Sequence, residues 1–367
     1  MQTKKHTTTM VCICVAMTTV VAWAYPMCIS DPDQPYAQMT RTAITPVHLP
    51  FQRPFSVLRR VPGPSGNVYA QVEWQVESGF RSVVWEVHPD GSVAATYDLT
   101  QAGADAGSVL SFAVDSSGNV YFVKPPDQGE QKAASTVSQN RLLPGIYVFR
   151  QGGTFDKAIT LSKNIEPRQL AITNSGNLVV AGPSVETGPE GTAHRRQALF
   201  EFKANGDFIR EINLLSKKEK NGDGSAFNDP EKFAVMTSLS HLLVDSADNL
   251  YLIQPLDEPR ILRVGPDGVT TAERTLPRLS GTMVTQAILD EQGRLILERT
   301  TMRKAGEPRP ENRIRVLTVL NGETLETVRE AIPPADTGGL VGVSRSDFVF
   351  LGRHGPLTLE IQKGSLQ

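Results

Sequence analysis

The stretch DSSGNVYFV (115–123) decides the fold. Its first half reads as a tight turn: a small or polar residue, then Gly and Asn, opening the strand. Its second half alternates side chains at the period of a strand with one buried face. The same form returns in SGNVYAQV (65–72), SGNLVVA (175–181), ADNLYLI (247–253) and QGRLILE (292–298), with a degraded sixth copy in SDFVFLG (346–352). With Asn67, Asn119, Asn177, Asn249, Arg294 and Asp347 taken as equivalent, each interval has the length of a four-stranded unit, plus extra loop in the longer ones.

Each copy carries a strand before its turn, as in SFAVDSSG (111–118), QLAITNSG (169–176), HLLVDSAD (241–248) and QAILDEQG (286–293). Two more strands follow, joined by PDG, QGG, NGD, PDG and NGE turns whose Gly and Asn suit the positive angles of antiparallel hairpins. Amphipathic helix is nearly absent. Small antiparallel sheets in a row cannot bury their faces singly, and radial packing around an axis covers them while leaving only short edges. The expected fold is therefore all-β, a six-bladed β-propeller of four-stranded antiparallel blades. The last copy runs out after LTLEIQK (357–363), so TAITPVHL (42–49) is expected to supply its outer strand and close the ring.

The repeats resemble NHL-type and gluconolactonase-like six-bladed β-propellers, whose blades commonly carry D-x-x-G-N-[VL]-Y-[VL]. DSSGNVYFV (115–123) and DSADNLYLI (245–253) match that form and NSGNLVV (174–180) comes close, over roughly residues 41–367. The resemblance implies a fold rather than an activity.

Ahead of the repeats, Lys4, Lys5 and His6 precede the uncharged run MVCICVAMTTVVAWA (10–24), which ends in Ala22-Trp23-Ala24. A basic start, a short apolar core and an A-x-A end make a secretory signal. The expected organisation is a signal peptide at 1–24, a flexible mature start at 25–40 and the propeller at 41–367, with an extracytoplasmic destination, periplasmic or secreted. No second long apolar run follows, so no transmembrane segment is expected in the mature chain. Cys12 and Cys14 leave with the signal; Cys28 remains, preceded by Tyr25-Pro26-Met27 rather than the small residues of a lipobox. A formal net charge of -2 supplies no positive field for nucleic acid, which is not an expected partner.

Loop length separates the two faces of such a ring. The turns named above are short, while KPPDQGEQKAASTVSQNRLLPG (124–145), GPSVETGPEGTAHRRQ (182–197), the stretch 216–238 and RTTMRKAGEPRP (299–310) all fall on the other face. Long loops on a rigid scaffold are where binding usually resides. The innermost strands start on that face, and eight residues before each turn position lie Arg59, Ser111, Gln169, His241, Gln286 and Gly339. Five of the six are polar, at the mouth of the expected channel. They suit a polar small ligand: Arg59 for an anionic group, His241 for proton exchange, the others for hydrogen bonds. Channel water is the plainer occupant of such a ring.

Enzymatic chemistry is the alternative. The gluconolactonase resemblance implies one divalent metal held by Glu, Asn and Asp in the channel. The ring positions supply no carboxylate, although Glu166 and Glu231 lie near the starts of the third and fourth inner strands. Streptogramin-lyase-like propellers imply a His pair and a Glu, and only His241 falls on the ring. EKNGDGSAFNDPE (219–231) echoes a calcium loop but has Pro230 where the twelfth-position carboxylate belongs. No G-x-S-x-G, G-x-x-x-x-G-K-[ST], H-E-x-x-H or C-x-x-C occurs. The sequence thus points to a binding or interaction module, for a polar small ligand or a protein partner at the long-loop face. No cofactor is expected beyond a possible divalent cation, and a metal-dependent lactonase-like hydrolase or lyase stands second.

Overall fold

The computed structural model describes residues 36–51, 53–77, 79–103, 109, 111–124, 144–187, 193–212, 240–255, 257–301, 314–334, 336–344, 347–353 and 357–366. The chain divides into two units, 1–37 and 38–367, and the second holds the sheets. The expected signal peptide and Cys28 lie outside the described residues, as do Glu231 and nearly all of the expected loops at 124–145 and 216–238.

The described chain is almost all strand. Four separate four-stranded antiparallel sheets follow one another. The first holds β2 (Ser56–Pro62), β3 (Val68–Val76), β4 (Gly79–Val87) and β5 (Val93–Tyr97). The second holds β6 (Ser111–Val114), β7 (Val120–Val123), β8 (Pro144–Phe149) and β9 (Phe155–Thr160). The third comprises β10 (Gln169–Ile172), β11 (Leu178–Thr187), β12 (Ala193–Phe202) and β13 (Phe208–Glu211), and the fourth β14 (His241–Val244), β15 (Leu250–Ile253), β16 (Arg260–Val264) and β17 (Thr270–Thr275). The remaining strands are β1 (Ala37–Pro46), β18 (Thr282–Leu289), β19 (Leu295–Thr301), β20 (Arg315–Leu320), β21 (Thr327–Ile332), β22 (Gly339–Ser344), β23 (Asp347–Arg353) and β24 (Leu359–Leu366). They make one eight-stranded sheet in the order β18-β19-β20-β21-β1-β24-β23-β22.

The arrangement is propeller-like, but it does not consist of six separate sheets as expected. The difference arises at one seam, where β21 and β1 are hydrogen-bonded neighbours and two groups of four strands run on into a single sheet. β1 pairs antiparallel with β24 from Met39↔Leu366 to Pro46↔Glu360. It begins at Ala37, earlier than the boundary expected at residue 41. The first strands touch in succession, β2 with β6, β6 with β10, β10 with β14, β14 with β18, β18 with β22 and β22 with β2.

The turn repeat has a hydrogen-bonding cause. Asp115 Oδ1 accepts the N–H groups of Ser117 and Asn119, both at 2.9 Å, while its Oδ2 takes the Asn119 side chain at 2.8 Å and the Tyr121 hydroxyl at 3.2 Å. Asp245 does the same for Ala247, Asn249 and Tyr251. In the two Asn-bearing copies that lack that Asp, the Asn amide turns to a carboxylate on the third strand: Asn67 to Glu86 at 2.8 Å and Asn177 to Glu201 at 2.9 Å. Asp248 occupies the glycine slot of the fourth copy with φ 61°, a left-handed angle that Asp tolerates better than most residues. Its carboxylate accepts the Asn174 N–H from the neighbouring sheet at 2.7 Å.

Apolar side chains cluster between consecutive groups of strands rather than within one. Trp85, Val72 and Val83 meet Val341, Leu351 and Ile361, with Phe51 tilted and Phe55 edge-on against Trp85. Tyr69, Tyr97 and Val84 meet Phe112, Phe122 and Phe149. Further clusters join the second sheet to the third, the third to the fourth, and the fourth to β18–β20. Face-to-face burial of this kind is what a sheet with two apolar faces requires.

Close approach fixes one glycine. Gly206, between β12 and β13, has φ 93°, and a Cβ there would lie 2.3 Å from the Thr160 carbonyl oxygen of the preceding sheet. Gly206→Ala should lose about 1–3 kcal/mol from backbone strain alone, with the clash adding to it. The denaturant midpoint measures this, and an unchanged midpoint would contradict the packing.

Two of the expected loops are partly strand. Residues 182–187 and 193–197 continue the β11–β12 ladder, with Gly182↔Ala198 through Thr187↔Ala193 in unbroken register. Arg299, Thr300 and Thr301 finish β19. The sequence pattern loses its alternation there, but antiparallel pairing needs only backbone groups in register, so the hairpins run on.

Candidate functional site

The ring positions occupy equivalent places because each innermost strand pairs with its second strand in the same way. Arg59 faces Gln71, Ser111 faces Val123, Gln169 faces Ala181, His241 faces Ile253, Gln286 faces Glu298 and Gly339 faces Leu351. Ser111, Gln169, His241 and Gly339 open their strands. Arg59 and Gln286 sit a few residues in, next to register shifts at Val57/Arg59 and Val284/Gln286. Those bulges restore the common register.

Five of the six positions, Arg59, Ser111, Gln169, His241 and Gln286, line a single cavity of about 200 Å³. Arg59 Nη2 donates to Gln169 Oε1 at 3.0 Å and to the Ser240 carbonyl at 3.4 Å, reaching from the first sheet to the third and to the entry of the fourth. The Ser111 hydroxyl donates to the same Gln169 oxygen at 3.4 Å. Gln286 Nε2 donates to the Arg60 carbonyl at 2.7 Å. Together these bonds tie residues far apart in the chain into one polar collar.

The expected proton exchange at His241 meets opposing forces. Burial first, and then the Arg59 guanidinium, lower its pKa to about 3, so the imidazole is neutral near pH 7. Its Nδ1 lies 2.8 Å from Ser240 Oγ, which is also 3.2 Å from the Ile253 carbonyl. One hydroxyl proton serves only one of these acceptors, so the choice of imidazole tautomer is coupled to the Ser240 rotor.

Arg60 is a site residue that the ring spacing does not pick out. Strand alternation sends it to the face opposite Arg59, yet it too lines the cavity. Its Nη1 lies 2.7 Å from where a side chain on Gly339 would begin. The ring glycine therefore leaves room for this arginine. Nothing near Arg60 in the sequence marks it out for this place. Burial lowers the Arg60 pKa; Glu298 opposes that effect and Arg315 adds to it.

Glu298 and Arg315 escape the ring spacing as well. The Glu298 carboxylate accepts Arg315 Nε at 2.6 Å and the Leu340 N–H at 2.8 Å. Arg315 also donates to the Thr337 carbonyl at 2.8 Å, to the Thr337 hydroxyl at 2.6 Å and to the Gly338 carbonyl. This pair anchors the approach to β22.

Of the two carboxylates implied as metal ligands, Glu166 is hydrogen-bonded to Arg168, and its backbone N–H donates to Pro183 O at 2.8 Å beside β11. Glu231 lies outside the described residues. Among the described residues no three His, Cys, Asp or Glu side chains gather as a metal would need, and no helix is long and apolar enough to cross a membrane.

No family model matches the chain, so the NHL-type and gluconolactonase-like resemblance finds no support there. No curated protein matches it either. A solved structure, a protein of unknown function from Bacteroides caccae, aligns over 83% of this chain and 84% of that one, at 12% identity and a TM-score of 0.41.

Proposed function

We propose that the chain is an exported binding module whose channel mouth takes a polar small ligand. The observation that carries this reading is the convergence of Arg59, Ser111, Gln169, His241 and Gln286 on one cavity. Polar groups from five successive elements meet where no core packing demands them, and a pocket with few, fixed polar groups is the usual form of a small-molecule site.

The ring is read as six-bladed, with β18–β21 one blade and β22–β24 plus β1 another, joined edge to edge. Three glycines support this. A Cβ on Gly153 would strike Thr96 in β5, one on Gly206 would strike Thr160 in β9, and one on Gly91 would strike the Pro46 carbonyl in β1. β1 thus stands to the first sheet as β5 stands to the second and β9 to the third. Kinship with NHL-type propellers stays a reading of the Asp-turn repeat. Export rests on the pattern at 1–24, and N-terminal sequencing of the exported protein should begin at Tyr25.

A thermal-shift screen of polar small molecules tests the site. At least one should raise the melting temperature by several degrees, and Gln169→Leu should abolish that rise because it removes the acceptor shared by Arg59 and Ser111. Binding that ignores Gln169→Leu would place the ligand elsewhere. Metal-dependent turnover of a lactone would replace this reading with the hydrolase.

A further inference from the structure

We infer that the channel mouth is an oxyanion site, holding a small carboxylate or phosphate between Arg60 and Arg59; this deepens the binding reading above and rests on it. Arg59 and Arg60 are both among the residues that line the cavity, and none of its described lining residues is a carboxylate. The guanidinium of Arg60 hydrogen-bonds to no described residue, and its Nε is buried without a partner. The described carboxylate that acts on it is Glu298, which is already engaged by Arg315 and by the Leu340 N–H. The trio Arg60, Glu298 and Arg315 therefore keeps one uncompensated positive charge.

Arg59 adds a second guanidinium, which among its contacts donates to Gln169 Oε1 and to the Ser240 carbonyl. His241, held neutral, contributes no charge of its own. Guanidinium donors that lack an acceptor favour any oxyanion that reaches them, and the planar fork matches the two oxygens of a carboxylate or phosphate. A cavity of about 200 Å³ is smaller than the roughly 300–1,000 Å³ of drug-sized sites, which restricts the guest to a few heavy atoms around its oxyanion.

The test uses the full mature chain in a buffer free of carboxylates and phosphates, with ionic strength held constant by sodium chloride. Sodium phosphate, disodium succinate and glucose are each titrated at millimolar concentrations while melting temperature is followed. The expected result is a rise of several degrees with phosphate, succinate or both, and no rise with glucose. A response to phosphate alone assigns a phosphorylated guest, and a response to succinate alone an organic acid. Arg60→Gln should abolish the rise. It should also melt at or above the unmodified chain without anion, because it removes a half-buried positive charge and leaves Glu298 and Arg315 matched. Arg60→Lys, which keeps the charge but not the fork, should weaken binding by about tenfold or more. Arg150→Gln, at an exposed ion pair with Asp156, should leave the rise intact.

An equal rise in Arg60→Gln would overturn the inference, as would silence from both oxyanions at these concentrations. A rise with glucose alone, lost in Gln169→Leu, would sink the oxyanion class while preserving a ligand site at the mouth.

Discussion

Glu298→Ala should cost the folded chain about 3–5 kcal/mol, the range for breaking a buried ion pair from one side. Glu298 is 4% exposed and its partner Arg315 is similarly enclosed. Removing the carboxylate strands the Arg315 guanidinium and the Leu340 N–H, and it withdraws the one described negative charge acting on Arg60. Arg315 would still hold Thr337 and Gly338, so the loss is electrostatic before it is geometric. A shift of the urea midpoint with an unchanged slope measures it. The double variant Glu298→Ala with Arg315→Met should recover part of the loss, since a pair removed together leaves less uncompensated charge than a pair halved. A loss below about 1 kcal/mol, the range of exposed pairs, would mean that the pair is solvated.

His241 should make the fold acid-sensitive in a defined window. An unfolded chain binds the imidazole proton near pH 6.5, whereas the folded chain refuses it until about pH 3. The lowered folded pKa means the contribution is fully present above about 6.5 and is lost as pH falls towards the folded value. The slope is up to about 1.4 kcal/mol per pH unit for this one group. Most carboxylates stay ionised down to about pH 4.5, so the interval between the two reports chiefly on histidine. Stability measured against pH in an anion-free buffer should therefore fall across that interval, and His241→Gln should flatten the fall. His241 imidazole proton shifts, identified by their loss in His241→Gln, that titrate near pH 6 in the folded chain would refute the account. A bound oxyanion would raise the His241 pKa and soften the same slope, which links this measurement to the ligand proposal.

Much of this molecule is legible in its amino-acid sequence, and particular residues explain why. Asp115, Gly118 and Asn119 encode a turn by local hydrogen bonding within a few residues, so the same letters recur wherever the turn does. The ring positions follow from that repeat by counting back to the strand start, and five of them do line one cavity. Arg60 is not legible, because alternation assigns it to the other face and nothing nearby in the chain indicates that Gly339 would give it space. Glu298 reads as the last residue of an apolar strand, since its partners Arg315 and Leu340 lie in later elements.

By itself the sequence determined the unit: turn chemistry, strand period and the ring position eight residues before each turn, polar in five of six copies, all set by interactions within about ten residues. Tertiary structure decided the rest. It placed β1 against β24, merged two groups of strands across the β21–β1 seam, extended the β11–β12 hairpin, and brought Arg59 to Gln169 and Arg60 to Gly339. Those contacts join segments far apart in the chain, where no local periodicity constrains the partner. Only closure of the sheets around a common axis determines which charges meet there and which are left unpaired.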